Sequence, residues 1–108
     1  MGRMIVVGPK GEVDVREAPR ISNDTAPGAY YKAAPLDGSR PATYNINLRS
    51  TADFPRWALP TLSFHEAVPG HHFQSGLARE RTNQPLVNYL VSQPAFSEGS
   101  ALYAEDHA

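Results

Sequence analysis

Three histidines and a glutamate crowd into the stretch HEAVPGHH at residues 65–72. A neutral imidazole is a good zinc ligand, and a carboxylate beside a metal can take a proton from water, so these residue types point to hydrolytic chemistry. The zinc-protease spacing His-Glu-x-x-His sets two histidines one helical turn apart on one face. The glutamate beside the first then serves as general base toward the metal-bound water. Here the residue four beyond His65 is Pro69, which cannot bind a metal, and the next histidines are His71 and His72.

On an unbroken helix His71 would be turned about 120° from His65, and His72 would return to the same face about 10 Å further along the axis. Neither placement brings two rings onto one ion with bonds of about 2.0–2.1 Å. Pro69 removes a backbone donor, however, and Gly70 adds backbone freedom, so the helix has to kink or bulge at this point. One or two extra residues can then loop out and carry a later histidine into the place of the missing one. The expectation is a zinc site built differently, with His65 and either His71 or His72 as ligands and Glu66 as catalytic base.

A second group of candidates lies in AFSEGSALYAEDHA at 95–108. On a helix, Glu98, Leu102 and Glu105 project within about 40° of one direction, so two carboxylates share a face that can pack across the first helix. Glu98 is assigned to the metal. Glu105 is assigned to hold a ligand histidine through its free ring N–H, which fixes the tautomer and ring orientation. Tyr103 either donates to a tetrahedral oxyanion, as a catalytic residue, or packs with Phe96 at helical spacing. Arg40, in DGSRP, either clamps a substrate carboxylate through its bidentate fork or fixes the Asp37-Gly38 turn, the second role being favoured. Tyr30 and Tyr31 read as sheet packing, Trp57 as an anchor for the helix start and His107 as solvated.

The elements that must position these groups follow from pattern. Residues 1–50 alternate short β-prone runs with turn signals: MIVV, EVDVRE, AYY and ATYNINL, separated by Pro-Lys-Gly, Pro-Gly and DGSRP. These predict strands of a small sheet or meander. In TYNINL, the residues Tyr44, Ile46 and Leu48 alternate with Thr43, Asn45 and Asn47, the period expected of a half-buried strand. From Asp53 the spacing turns helical. Pro60 opens a helix to about Val68, HHFQSGLARER resumes it beyond the break, and Pro85 and Pro94 start two more. The expected class is α+β, with short N-terminal strands in 1–50 and, in 53–108, helices carrying a zincin-like site. The last helix is still in phase at Ala108, so the chain reads as a single partial domain.

With 108 residues the chain has room for one small core. Ten prolines and eight glycines predict a loop-rich molecule. A net charge of -1 leaves no positive field for nucleic acid or an anionic membrane. With no cysteine present, disulfide scaffolds, thiolate zinc sites and a cysteine nucleophile are excluded together. Any metal therefore rests on histidine and carboxylate. The run IVV at 5–7 is too short for a membrane span or a signal-peptide core. Asn23-Asp24-Thr25 fits a glycosylation sequon, a pattern too short to carry weight.

The runs LPTLSFHEAVPGHHFQ and EGSALYAE, with PGAYYKAAPLDGSRPATYNINL upstream, resemble a widespread bacterial family of uncharacterised conserved proteins in the gluzincin-like clan of zinc metallopeptidases. The likeness extends over about residues 13–108. It implies His65 and one of His71 or His72 as zinc ligands, Glu66 as general base and Glu98 as the glutamate ligand. It also implies a much longer, mostly helical parent of which this chain is a fragment, from a family whose members are often exported. Ser100 stands where the family usually carries tryptophan, so a large wall residue is absent. The functional expectation is a zinc-dependent peptidase-like hydrolase segment acting on peptides, joined by the remainder of the parent or by a second copy of itself. The rival is an inactive module that binds metal or peptide without turnover.

Overall fold

A computed structural model of the chain describes residues 7–22, 24–91 and 93–108. The expected strand MIVV lies, except for Val7, outside the described residues, as does Asn23 of the sequon. The architecture is α+β, a three-stranded sheet followed by helices. Strands β1 (Val13–Glu17), β2 (Ala29–Lys32) and β3 (Ala42–Ile46) arise where EVDVRE, AYY and ATYNI predict them.

Their order is β1-β3-β2, with β1 parallel and β2 antiparallel to β3, so the sheet is not a meander. Strands β2 and β3 form a hairpin across the DGSRP loop, where Gly38 takes the left-handed conformation at φ 68° and the Ser39 N–H donates to Asp37 Oδ1 at 2.9 Å. Strand β1 adds on the far side of β3. The last strand in sequence is therefore the middle one in space, and this overturns the half-buried alternation expected of TYNINL. Thr43, Tyr44 and Asn45 are all buried, Asn47 beyond them is fully so, and Leu48 is exposed. The buried polar face is satisfied locally: Asn45 Nδ2 donates to Thr43 Oγ1 at 2.9 Å, and Asn47 Oδ1 accepts the Arg49 N–H at 3.1 Å.

Four helices follow among the described residues: α1 (Leu59–Glu66), α2 (His71–Glu80), α3 (Val87–Leu90) and α4 (Pro94–His107). Pro60 and Pro94 sit in the first turns of α1 and α4, where a missing N–H costs nothing. Trp57 does not anchor the start of α1; it is 82% exposed, because the chain ahead of the helix turns its indole to solvent. Helix α4 packs on both α1 and α2, with Ala101 and Ala104 buried, and α1 also meets β2. Small side chains at that contact let the backbones approach closely. Among the described residues, no helix is long and apolar enough to cross a membrane.

Candidate metal centre

The break between α1 and α2 sets the geometry. Pro69 has no N–H for the His65 carbonyl, and the bonding shifts accordingly: the Ala67 carbonyl accepts the His72 N–H at 3.1 Å and the Phe73 N–H at 3.4 Å. The first of these spans five residues instead of the four of an α-helix, so the turn holds one extra residue. Gly70 closes it. A Cβ there would stand 1.8 Å from the His65 carbonyl oxygen and 2.3 Å from that of Phe64, so no side chain fits.

Through this turn His71, and not His72, meets His65. The two rings sit edge to face with centroids 4.7 Å apart. From α4, Glu98 reaches both: its Oε2 lies 3.3 Å from His65 Nε2 and its Oε1 lies 3.6 Å from His71 Nε2. Ligand atoms of His65, His71 and Glu98 all fall within 4.8 Å of one another. Two turns further along α4, Glu105 Oε1 accepts the His65 Nδ1–H at 2.5 Å. That bond puts the proton on Nδ1 and leaves the Nε2 lone pair directed at the group.

Burial lowers the proton affinity of His71; Glu98 opposes this and His65 adds to it, so the ring is held neutral. Glu66 is 7% exposed, and burial pushes its carboxyl up, with the His65 ring and the Tyr31 main-chain N–H opposing and the Glu98 charge adding. The Tyr31 N–H is free to donate because β2 is an outer strand whose open edge faces α1. Glu66 Oε2 is buried without a hydrogen-bond partner. The Tyr44 hydroxyl on the neighbouring strand is buried close to Ser63 and Glu66, and burial makes its proton harder to lose.

The remaining candidates lie elsewhere. His72 is 4% exposed but turned toward Gly11 and Tyr31. Tyr103 stands on the far side of α4 from Glu98, where it stacks on His107 at 4.0 Å between centroids and borders a groove shared with Phe96. His107 is exposed, and its Nδ1–H donates to the Tyr103 carbonyl at 3.0 Å. Ser100 faces the same groove and bonds the Ser97 carbonyl at 2.8 Å, so its small size bears on that groove and not on the histidines. Arg40 is exposed at the Asp37-Gly38 turn. Sequence reasoning missed Tyr31, whose ring lies 6.3 Å from that of His71 at an interplanar angle of 27°. The pair Tyr30-Tyr31 signals only that one ring points to each face of the strand, and nothing local says which face meets the helices.

Residues 1–108 match the family described as "Bacterial protein of unknown function (DUF885)". The chain belongs to this family. Among solved structures, it is similar to "the putative lipoprotein from Colwellia psychrerythraea", at 39% sequence identity and a TM-score of 0.90 over 94% of its residues. It spans 17% of the length of that chain. No curated protein matches it.

Proposed function

We propose that this segment carries the metal site of a gluzincin-like zinc peptidase, with His65, His71 and Glu98 as ligands and Glu66 as general base. The observation that carries the reading is the convergence of two imidazoles and one carboxylate from three helices onto a common point. Two bonds of about 2.0–2.1 Å in a tetrahedral site put their donor atoms about 3.4 Å apart. Each ring has one Glu98 oxygen near that spacing, Oε2 at 3.3 Å from His65 Nε2 and Oε1 at 3.6 Å from His71 Nε2, within a group that spans up to 4.8 Å. Three protein ligands, with a position left open, is also the donor set of catalytic rather than structural zinc.

Bound there, zinc supplies Lewis acidity toward a carbonyl oxygen and brings the acidity of water near neutrality. The residues of the chain do the rest. Glu105 fixes the His65 tautomer, and burial keeps His71 unprotonated and able to ligate. Glu66, made more basic by burial and with one oxygen unpartnered, takes a proton from water as it adds to a peptide carbonyl. It then returns that proton to the leaving amine. The base works only when ionised, so activity should fall on the acid side as Glu66 takes up a proton.

The test pairs elemental analysis with peptide hydrolysis on the full chain. One zinc per chain, with turnover lowered by about 10²–10⁴ in Glu66→Gln and zinc retained, supports the enzyme. A second reading, metal binding without turnover, draws on the short span of the chain against its Colwellia relative, since the walls of a substrate cleft can lie in the other 83% of such a protein (100 less the 17% covered). Zinc retained with no turnover in the wild type selects that reading. Absence of zinc from the folded chain contradicts both.

A further inference from the structure

His72 is a buried histidine that the ligand group leaves out, yet both its ring nitrogens are engaged. Nε2 lies 3.0 Å from the Gly11 carbonyl oxygen, and Nδ1 lies 3.2 Å from the Tyr31 hydroxyl. A carbonyl can only accept, so Nε2 carries the proton and donates it. Nδ1 is then a lone pair, and the Tyr31 hydroxyl must be the donor to it. The whole chain of bonds thus has one direction: Tyr31 O–H to His72, and His72 N–H to the Gly11 carbonyl.

The Gly11 end is itself fixed to α2. Lys10 donates its main-chain N–H to Glu80 Oε1 at 2.5 Å. Pro9 lies against Gly76, where a Cβ would stand 2.6 Å from the proline Cβ. His72 and its acceptor are therefore tied to the same helix and move together. At the other end, Tyr31 touches two members of the candidate centre. Its ring is stacked against His71, and its main-chain N–H lies near the Glu66 carboxylate and favours its ionised form.

We propose that Tyr31 and His72 form a positioning pair, in which His72, braced on the Gly11 carbonyl, holds the Tyr31 phenol so that the tyrosine sets the His71 ring and the Glu66 carboxylate. On this account the second histidine of Gly-His-His is a brace for the first. The role rests on the reading of His71 as a metal ligand; the hydrogen-bond chain does not.

The test therefore has two readouts on the full chain. Long-range ¹H–¹⁵N spectra of the metal-free chain should show His72 as the Nε2–H tautomer. Titration with Zn²⁺ should show Tyr31→Phe, which loses only the hydroxyl, binding about tenfold more weakly. His72→Gln sets its amide at the Nε2 end, within reach of Gly11, and leaves no acceptor at the Nδ1 position that faces Tyr31, so it should match Tyr31→Phe. The double variant should be no weaker than either, since both remove the same bond. His72→Asn, whose amide oxygen falls near the Nδ1 position, should stay closer to wild type. An Nδ1–H tautomer, zinc affinity in Tyr31→Phe within twofold of wild type, or losses that multiply in the double variant would overturn the pair. An Nε2–H tautomer in a chain that binds no zinc would keep the bond chain and sink the positioning role together with the ligand reading.

Discussion

On the side of α4 that meets α1, Glu98 and Glu105 both reach His65 and Ala101 is fully buried; on the opposite side Phe96 and Tyr103 are 65% and 60% exposed. The second face borders an open groove of about 970 Å³, walled on its other sides by Leu77 of α2 and Val87 and Leu90 of α3. An ordinary surface helix turns its apolar stripe inward and its charges out. Here the inner face mixes buried alanines with carboxylates, and the large apolar side chains stand outside. Glu105 is largely covered there with the His65 imidazole as its partner, Glu98 stands at the solvent edge with its side chain 59% exposed, and the alanine between them lets the helix come close enough for both to reach His65. The contact between α4 and α1 is thus shaped by a polar constellation, while the aromatic side chains of α4 add little to the core of these residues.

That contrast can be broken most forcefully at the turn that aligns the inner face. Gly70→Ala drives a methyl into the carbonyls of Phe64 and His65, and should cost about 3 kcal/mol in urea unfolding, with zinc binding lost as well. Next in size, Glu105→Gln leaves every ligand in place but exchanges the ionised acceptor of the His65 proton for a neutral one. Zinc affinity by calorimetric titration should fall about 10- to 100-fold, with stoichiometry unchanged.

A smaller effect tests the electrostatics of the metal-free chain. Glu66 is raised by burial, so both states are protonated below the unfolded value of about 4.3 and its contribution is intact there. As pH climbs through the folded value, the unfolded chain ionises more readily and stability is lost. Metal-free Glu66→Gln should therefore match wild type near pH 4 and exceed it by about 1 kcal/mol at pH 7. His71 acts in the other sense. Its lowered value gives stability that is present above about pH 6.5 and lost as pH falls through the folded value, equally in both proteins. The outer face should respond least: Tyr103→Ser is expected to change unfolding free energy by under about 0.5 kcal/mol and to leave zinc affinity unaltered. A large loss of zinc in Tyr103→Ser would dissolve the distinction between the faces.

Features written in adjacent residues were legible in the sequence. Turn residues bound the three described strands, prolines open α1 and α4, and Pro69-Gly70 marks the break that the structure shows. The pairing of β1 with β3 was not legible, because it joins segments separated by the whole β2 hairpin and no local signal encodes it. Thr43 and Asn45, which alternation alone places on an open face, are buried in the central strand. Helical spacing put Glu98 and Glu105 on one side of α4, as observed. It could not choose between His71 and His72, since the choice depends on a hydrogen-bond shift of one residue inside the turn. Tyr31 was invisible for a related reason: its neighbours come from α1 and α2, far along the chain.

The most direct test is a Zn²⁺ titration of the full chain beside His71→Gln and His72→Gln. The account predicts one zinc per chain in the wild type, affinity lowered by more than about 100-fold in His71→Gln, and one zinc retained with only about tenfold weaker binding in His72→Gln. Equal losses in the two variants, the reverse order, or a folded wild type that takes up no zinc would contradict it.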